Sequence, residues 1–255
     1  MVDSDVGNLD VLGGAAFGNN VTNNSVTITT GGVVGTAGTG SVFGGVSQSV
    51  MTVSGNSVTM NDGLVNEQIV GGGLGGVGGG LANNNTVTIT GGNVVDSVYG
   101  AAISGTATAT AYDNHIFIGV DGGTGSISIG NFVVGGSTAG GTAKFNDVQV
   151  YYGAVANAII GGQVDGGSGA SVTDNEVLVK GSTITVVTFI AGGYIPNLVT
   201  GASFYRNIVT VNDDIAVANV YGAFIADTNL TGNINDSTVN VTALQQLAVF
   251  MAAEV

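Results

Sequence analysis

A phrase of the form Asn-x-Val-x-Ile/Val returns along this chain about every thirty residues, and no other feature narrows the possible folds so far. It begins at Asn24 (NSVTI), Asn56 (NSVTM), Asn85 (NTVTI), Asn114 (NHIFI), Asn146 (NDVQV), Asn175 (NEVLV) and Asn207 (NIVTV). A further copy at Ser237 (STVNV) has lost the Asn, and successive copies lie 32, 29, 29, 32, 29, 32 and 30 residues apart. Between them falls a second phrase, two β-branched or aromatic residues followed by Gly-Gly or Gly-Ala. Examples are Val42-Phe43-Gly44-Gly45, Ile69-Val70-Gly71-Gly72, Val98-Tyr99-Gly100-Ala101 and Val133-Val134-Gly135-Gly136, with a looser version at Phe189-Ile190-Ala191-Gly192. A third apolar pair, such as Val33-Val34, Leu64-Val65 or Val94-Val95, separates the two. Short apolar runs divided by Gly, Asn, Asp and Thr turns read as strands.

Each period therefore predicts three short strands. Repetition predicts an all-β, right-handed parallel β-helix (a β-solenoid) of about eight coils, each resting on the next. One coil of this kind buries too little apolar surface to fold alone, so pairing and burial must come from its neighbours. The solenoid is expected to span 1–241 as a single domain. Thr242-Ala243-Leu244-Gln245 has the spacing of a helix N-terminal capping box. Leu244, Leu247, Ala248 and Met251 follow at helical intervals, so 242–255 is expected to form a short helix capping the last coil.

Strand alternation assigns the faces. In NTVTI the Val and Ile point inward, so the leading Asn does too. Asn24, Asn56, Asn85, Asn114, Asn146, Asn175 and Asn207 are thus expected to stack as an amide ladder along the axis, a structural role rather than a row of ligands. The outward file reads Thr27, Thr59, Thr88, Phe117, Gln149, Leu178, Thr210 and Asn240. Its threonines resemble those of β-solenoid ice-binding proteins, but the file breaks after three. On the same alternation Phe117, Tyr151, Leu178 and Ile208 face outward, and an exposed apolar stripe marks a candidate partner surface.

Composition limits the chemistry. Three Lys/Arg against 17 Asp/Glu give a net charge of −14, which argues against nucleic acid and anionic membrane surfaces as partners. One histidine and no cysteine leave little for acid–base or thiol catalysis, and disulfides are excluded. Gly73-Leu74-Gly75-Gly76-Val77-Gly78 matches a dinucleotide fingerprint but leads into a strand, not the helix N-terminus that would hold a pyrophosphate. The Gly-rich turns after Asp121 and Asp165 lack the further acids of calcium-binding nonapeptides. Polysaccharide-cleaving β-helices need paired carboxylates. Asp213-Asp214 near Arg206 is the one adjacent pair, and it reads as a solvated turn; His115 faces outward with nothing in sequence to orient it. No catalytic residue, no metal and no cofactor is expected.

The alternation seen in NNSVTITTGG, NNNTVTITGGNVVDSVYG and DSTVNV resembles passenger-domain repeats of bacterial autotransporter (type V secretion) adhesins, over Val11 to Val241. The resemblance implies an extracellular or bacterial cell-surface β-helix that works as adhesin stalk or spacer without catalysis. Its partners would be a protein or glycan on a host or neighbouring cell, or another copy of itself, with no membrane insertion of this segment. The chain shows neither a translocator barrel nor a basic leader at Met1–Asp10, which reads as an excised piece or another solenoid lineage. A self-assembling extracellular filament subunit is the alternative function, with a polysaccharide-acting enzyme or an ice-binding protein behind it.

Overall fold

The computed structural model describes residues 1–49, 51–76, 78–104, 108–181, 183–197, 200–213, 215–226, 232–242 and 249–254. Its strands stack into four parallel sheets, so each coil carries four strands rather than the expected three. Beginning at Asn56, one coil runs through Ser57–Met60, Leu64–Val65, Ile69–Leu74 and Leu81–Asn83. The next coil then lays Thr86–Ile89 in register on Ser57–Met60. We call the four sheets the Asn-led, short, glycine and return sheets. Among the described residues they hold eight, six, ten and eight strands, and every pairing is parallel. Eight Asn-led strands enclose seven turns, close to the sequence estimate.

The return strand escaped the sequence reading because it has one inward side chain flanked by polar residues. In Thr52–Ser54 that residue is Val53, and in Ser171–Thr173 it is Val172. Such triplets look like turns. A sharp corner links each return strand to the next Asn-led strand, and the residue before the repeated Asn turns it. Asn23, Gly55, Asn84, Asp113, Phe145, Asp174, Arg206 and Asp236 all have φ between 49° and 65°. Asn, Asp and Gly tolerate this left-handed region, whereas Phe145 and Arg206 carry the full steric cost of their Cβ atoms.

The glycine strands bend. Their register pairs Val42 with Ile69 and Phe43 with Val70, skips the first glycine, and resumes at Gly45 and Gly72. The bend divides the interior. Valines and isoleucines of the Asn-led and short sheets and the first half of the glycine sheet, such as Val58, Val65 and Ile69, form the main core. The second half of the glycine sheet packs on the return sheet over smaller residues, for example Val53, Leu74, Ala82 and Ala111. A related cluster around Val172, Ile195 and Phe204 continues it toward the C-terminus. The looser phrase at Phe189 is shifted by one: Ile190 takes the inward position and Gly192 and Gly193 the glycine positions.

At the C-terminal end, Val249–Glu254 is a strand paired with Asn219–Ile225. The expected capping helix over 242–255 is therefore corrected for this stretch, while Leu244, Leu247 and Ala248 lie outside the described residues. Val-Phe-Met-Ala-Ala repeats the pattern of the glycine-sheet phrase, and the register places Phe250 beside Val220. An open parallel edge offering backbone groups outweighs a weak helical periodicity. Among the described residues, no helix is long and apolar enough to cross a membrane.

Candidate functional site

The repeated asparagines stand at the waist between the two cores, and all but Asn24 are buried. Each Nδ2 donates to the next coil's Oδ1, at 2.9 Å from Asn24 to Asn56, 3.0 Å from Asn56 to Asn85 and 3.0 Å from Asn85 to Asn114. The file continues at 2.9, 2.8 and 2.9 Å through Asn146 and Asn175 to Asn207. The same Oδ1 also accepts a backbone N–H, as from Asn56 to Asn85 at 3.1 Å. The second Nδ2 hydrogen goes to a return-strand carbonyl, as from Asn114 to Ala82 at 3.0 Å. All four hydrogen-bonding positions of each inner amide are thus filled within the wall. None is left to hold a ligand. At Ser237, which replaces the Asn, the buried Oγ has no partner.

Opposite the ladder, the glycine phrase makes room for it. A Cβ on Gly45, Gly72, Gly136 or Gly162 would lie 2.4 to 2.6 Å from an Asn amide atom. The two repeated phrases are therefore one device: an amide at the waist and the gap that receives it.

The outward residues of the Asn-led sheet are arranged less continuously than the alternation alone implies. Phe117 and Leu178 share a file but are separated by Gln149. Ile208 sits in the adjacent file, beside Glu176, and is the most exposed of the four expected surface residues at 36%. Tyr151 lies beyond the strand end, and its hydroxyl donates to Gln149 Oε1 at 2.7 Å while Gln149 Nε2 donates to Asp147 at 2.8 Å. This polar clamp interrupts the apolar stripe. His115, expected to stand alone, lies 3.4 Å from Asp113 and 3.8 Å from Asp147. The Asp147 carboxylate facing the ring, opposed by partial burial and helped by the charge of Asp113, raises its pKa above the usual imidazole value.

The cations are held by neighbours. Arg206 grips Asp174 with Nε and Nη2 at 2.6 and 2.8 Å and lies over the Tyr205 ring. Lys180 pairs with Asp121 at 2.8 Å, in a cleft of about 350 Å³ that Tyr151 and Asp213 also line. Lys144 stands over the Tyr112 ring. Asp214 lies outside the described residues. Among the described residues no group of three or more His, Asp or Glu is placed to hold a metal ion.

A concavity lies on the outside of the glycine sheet, where the sequence reading placed nothing. The glycine bend folds the outer surface into a trough running along the axis. One wall is the file Phe43, Val70, Tyr99, Val134, Ile160, Ala191 and Tyr221. The other is Val46, Gly73, Ala102, Ser137, Gln163, Tyr194 and Phe224. Toward the C-terminus the trough is filled by aromatic rings: Tyr221 stacks on Phe224 at 4.4 Å, and Phe189 meets Tyr194 at 5.1 Å. Toward the N-terminus the Phe43 ring packs over Gly73, and small Ala102 leaves a cavity of about 480 Å³. Phe43 and Tyr99 flank this opening, and Gln48, Gln68, Ser104 and Asp165 rim it. Burial raises the Tyr99 pKa, partly offset by a hydrogen bond with Ser97, so its phenol stays protonated at neutral pH. The signal was present in the sequence. Two adjacent apolar residues before Gly-Gly cannot both face inward on an alternating strand, so one apolar file had to lie outside.

This architecture defines a parallel β-solenoid whose ladder is structural and whose open concavity lies on the glycine sheet. No family model, curated protein or solved structure matches the chain.

Proposed function

We propose that this chain is a non-enzymatic extracellular stalk or spacer, the rod-like part of a surface adhesin. The observation that carries the reading is the unbroken stack: four sheets and an amide ladder run coil to coil through the described chain. Such a stack fixes the distance between its ends, and its length grows with the number of repeats. At about 4.8 Å per coil, eight strands set a body on the order of 40 Å long. The autotransporter resemblance supports a cell-surface location, and the cations nearest the Asp213 turn in sequence and in space, Arg206 and Lys180, are each paired with another carboxylate, Asp174 and Asp121. Negative-stain electron microscopy of the purified chain tests the reading, with monodisperse short rods expected. Antibody labelling of intact cells should find the chain at the surface, and labelling only after lysis would overturn that part.

A second reading, a self-assembling filament subunit, is favoured by one observation. Thr238–Thr242 closes the Asn-led sheet among the described residues and presents a parallel edge to whatever follows. Long regular fibres in the same images would establish it over the spacer.

A further inference from the structure

We infer that the open part of the glycine-sheet trough is a binding site for an uncharged oligosaccharide. The inference is independent of the spacer reading, since a stalk needs no ligand, and it rests on what the opening offers. Phe43 and Tyr99 stand two coils apart in one file, with the shorter, fully buried Val70 between them. Val70 is fully covered and the Phe43 ring packs over Gly73, so the accessible part of the opening lies beside Tyr99 and Ala102. Ala102 makes the facing wall low beside Tyr99; further along the same file, Tyr194 and Phe224 fill the corresponding space. The small side chain of Ala102 interrupts an otherwise filled trough and opens a cavity of about 480 Å³.

The chemistry of the rim selects the occupant. Gln48, Gln68 and Asp165 supply amide donors and carbonyl and carboxylate acceptors at the edge of an aromatic and aliphatic floor. A pyranose ring has the complementary form, with an apolar C–H face and a hydroxyl edge. An anionic ligand is disfavoured, because no Lys or Arg lines the opening and the chain carries a net charge of −14. An extended peptide would bring backbone N–H and C=O groups that the trough cannot pair, because the glycine strands beneath already pair with neighbours on both sides. An alkyl chain would leave the polar rim unused and partly desolvated.

Isothermal titration calorimetry on the full chain tests this with cellohexaose, xylohexaose and mannohexaose, alongside hexagalacturonate, decanol and the blocked peptide acetyl-(Thr-Val)3-amide. At least one neutral hexasaccharide should bind with a Kd of about 1 mM or tighter, and Tyr99→Ala should weaken it about tenfold. Ala102→Tyr is the decisive variant. It places in the opening the ring that the same file already accepts at Tyr194, so it should keep the melting temperature while weakening binding by more than about tenfold. The inference is overturned if none of the three neutral sugars binds, or if Ala102→Tyr binds as the parent does. It is equally overturned if hexagalacturonate, decanol or the peptide alone is taken up at the Ala102-sensitive site.

Discussion

At the scale of single residues, the molecule depends on an amide that is stabilising only because it is one of a series. The Asn114 side chain receives two hydrogen bonds from Asn85 and gives one each to Asn146 and the Ala82 carbonyl. Removing it leaves buried donors and an acceptor on two neighbouring coils, each costing about 1–3 kcal/mol. Asn114→Ala should therefore destabilise the chain by roughly 3 kcal/mol or more, read as a lower urea midpoint, whereas half-buried Asn24 at the ladder's end should cost about 1 kcal/mol. Phe145 occupies a left-handed corner at φ 55° with its side chain 46% exposed. Phe145→Asn should relieve about 1 kcal/mol of backbone strain and raise Tm by about 2–4 °C. His115 gives the fold a pH dependence. Its raised pKa means that protonation favours the folded state. The stabilisation is complete below the unfolded value of about 6.5 and is lost as pH rises through the higher folded value. The gap in urea midpoint between parent and His115→Gln should thus be wide at about pH 5.5 and closed at about pH 9; a gap independent of pH would show that the two carboxylates do not act on the ring.

At the scale of the strand, the glycine phrase contains two different requirements. A Cβ on the first glycine would meet the carbonyl oxygen of the equivalent glycine one coil on, at 2.4 Å from Gly135 to Gly161. Backbone cannot yield there, so Gly135→Ala should separate the coils and cost more than about 3 kcal/mol. The second glycine faces the Asn side chain, and Ala101 and Ala223 already occupy its position in other coils. Gly136→Ala should then cost under about 1.5 kcal/mol. Equal losses in the two melting curves would refute the distinction. Much of this was legible beforehand: the Asn and Gly phrases, their spacing and the inward direction of Val58 and Met60 all follow from alternation. The return strand was not, because Val53 or Val172 alone between polar residues carries no periodic signal. Nor was Val249–Glu254, where helical spacing of Leu244 to Met251 competed with an edge that only the assembled sheet provides.

At the scale of the whole molecule, stability is shared between neighbours, so the coils are not equivalent. Inner coils are covered on both faces and outer ones on one. Backbone amides of Val148 and Val177, deep in the stack, should exchange with solvent more slowly than those of Val26 and Val239 near its ends. Hydrogen exchange would read this gradient along one sheet, and uniform protection would instead indicate a single all-or-none unit. The trough belongs to this scale too. Phe43 is far in the chain from Tyr99 and Ala102, and only the stacking of successive coils makes them one surface.

The sequence by itself determined the repeat, the parallel stack and the identity of the ladder, because a period of inward side chains is a local property that any coil displays. The tertiary structure alone decided the number of sheets, the bend at the glycines and the trough outside them. Those depend on what one coil meets in the next: a carbonyl where a Cβ would be, an amide filling a gap, a missing ring at Ala102. Alternation says which way a side chain points, but only the neighbouring coil says whether the space there is already taken.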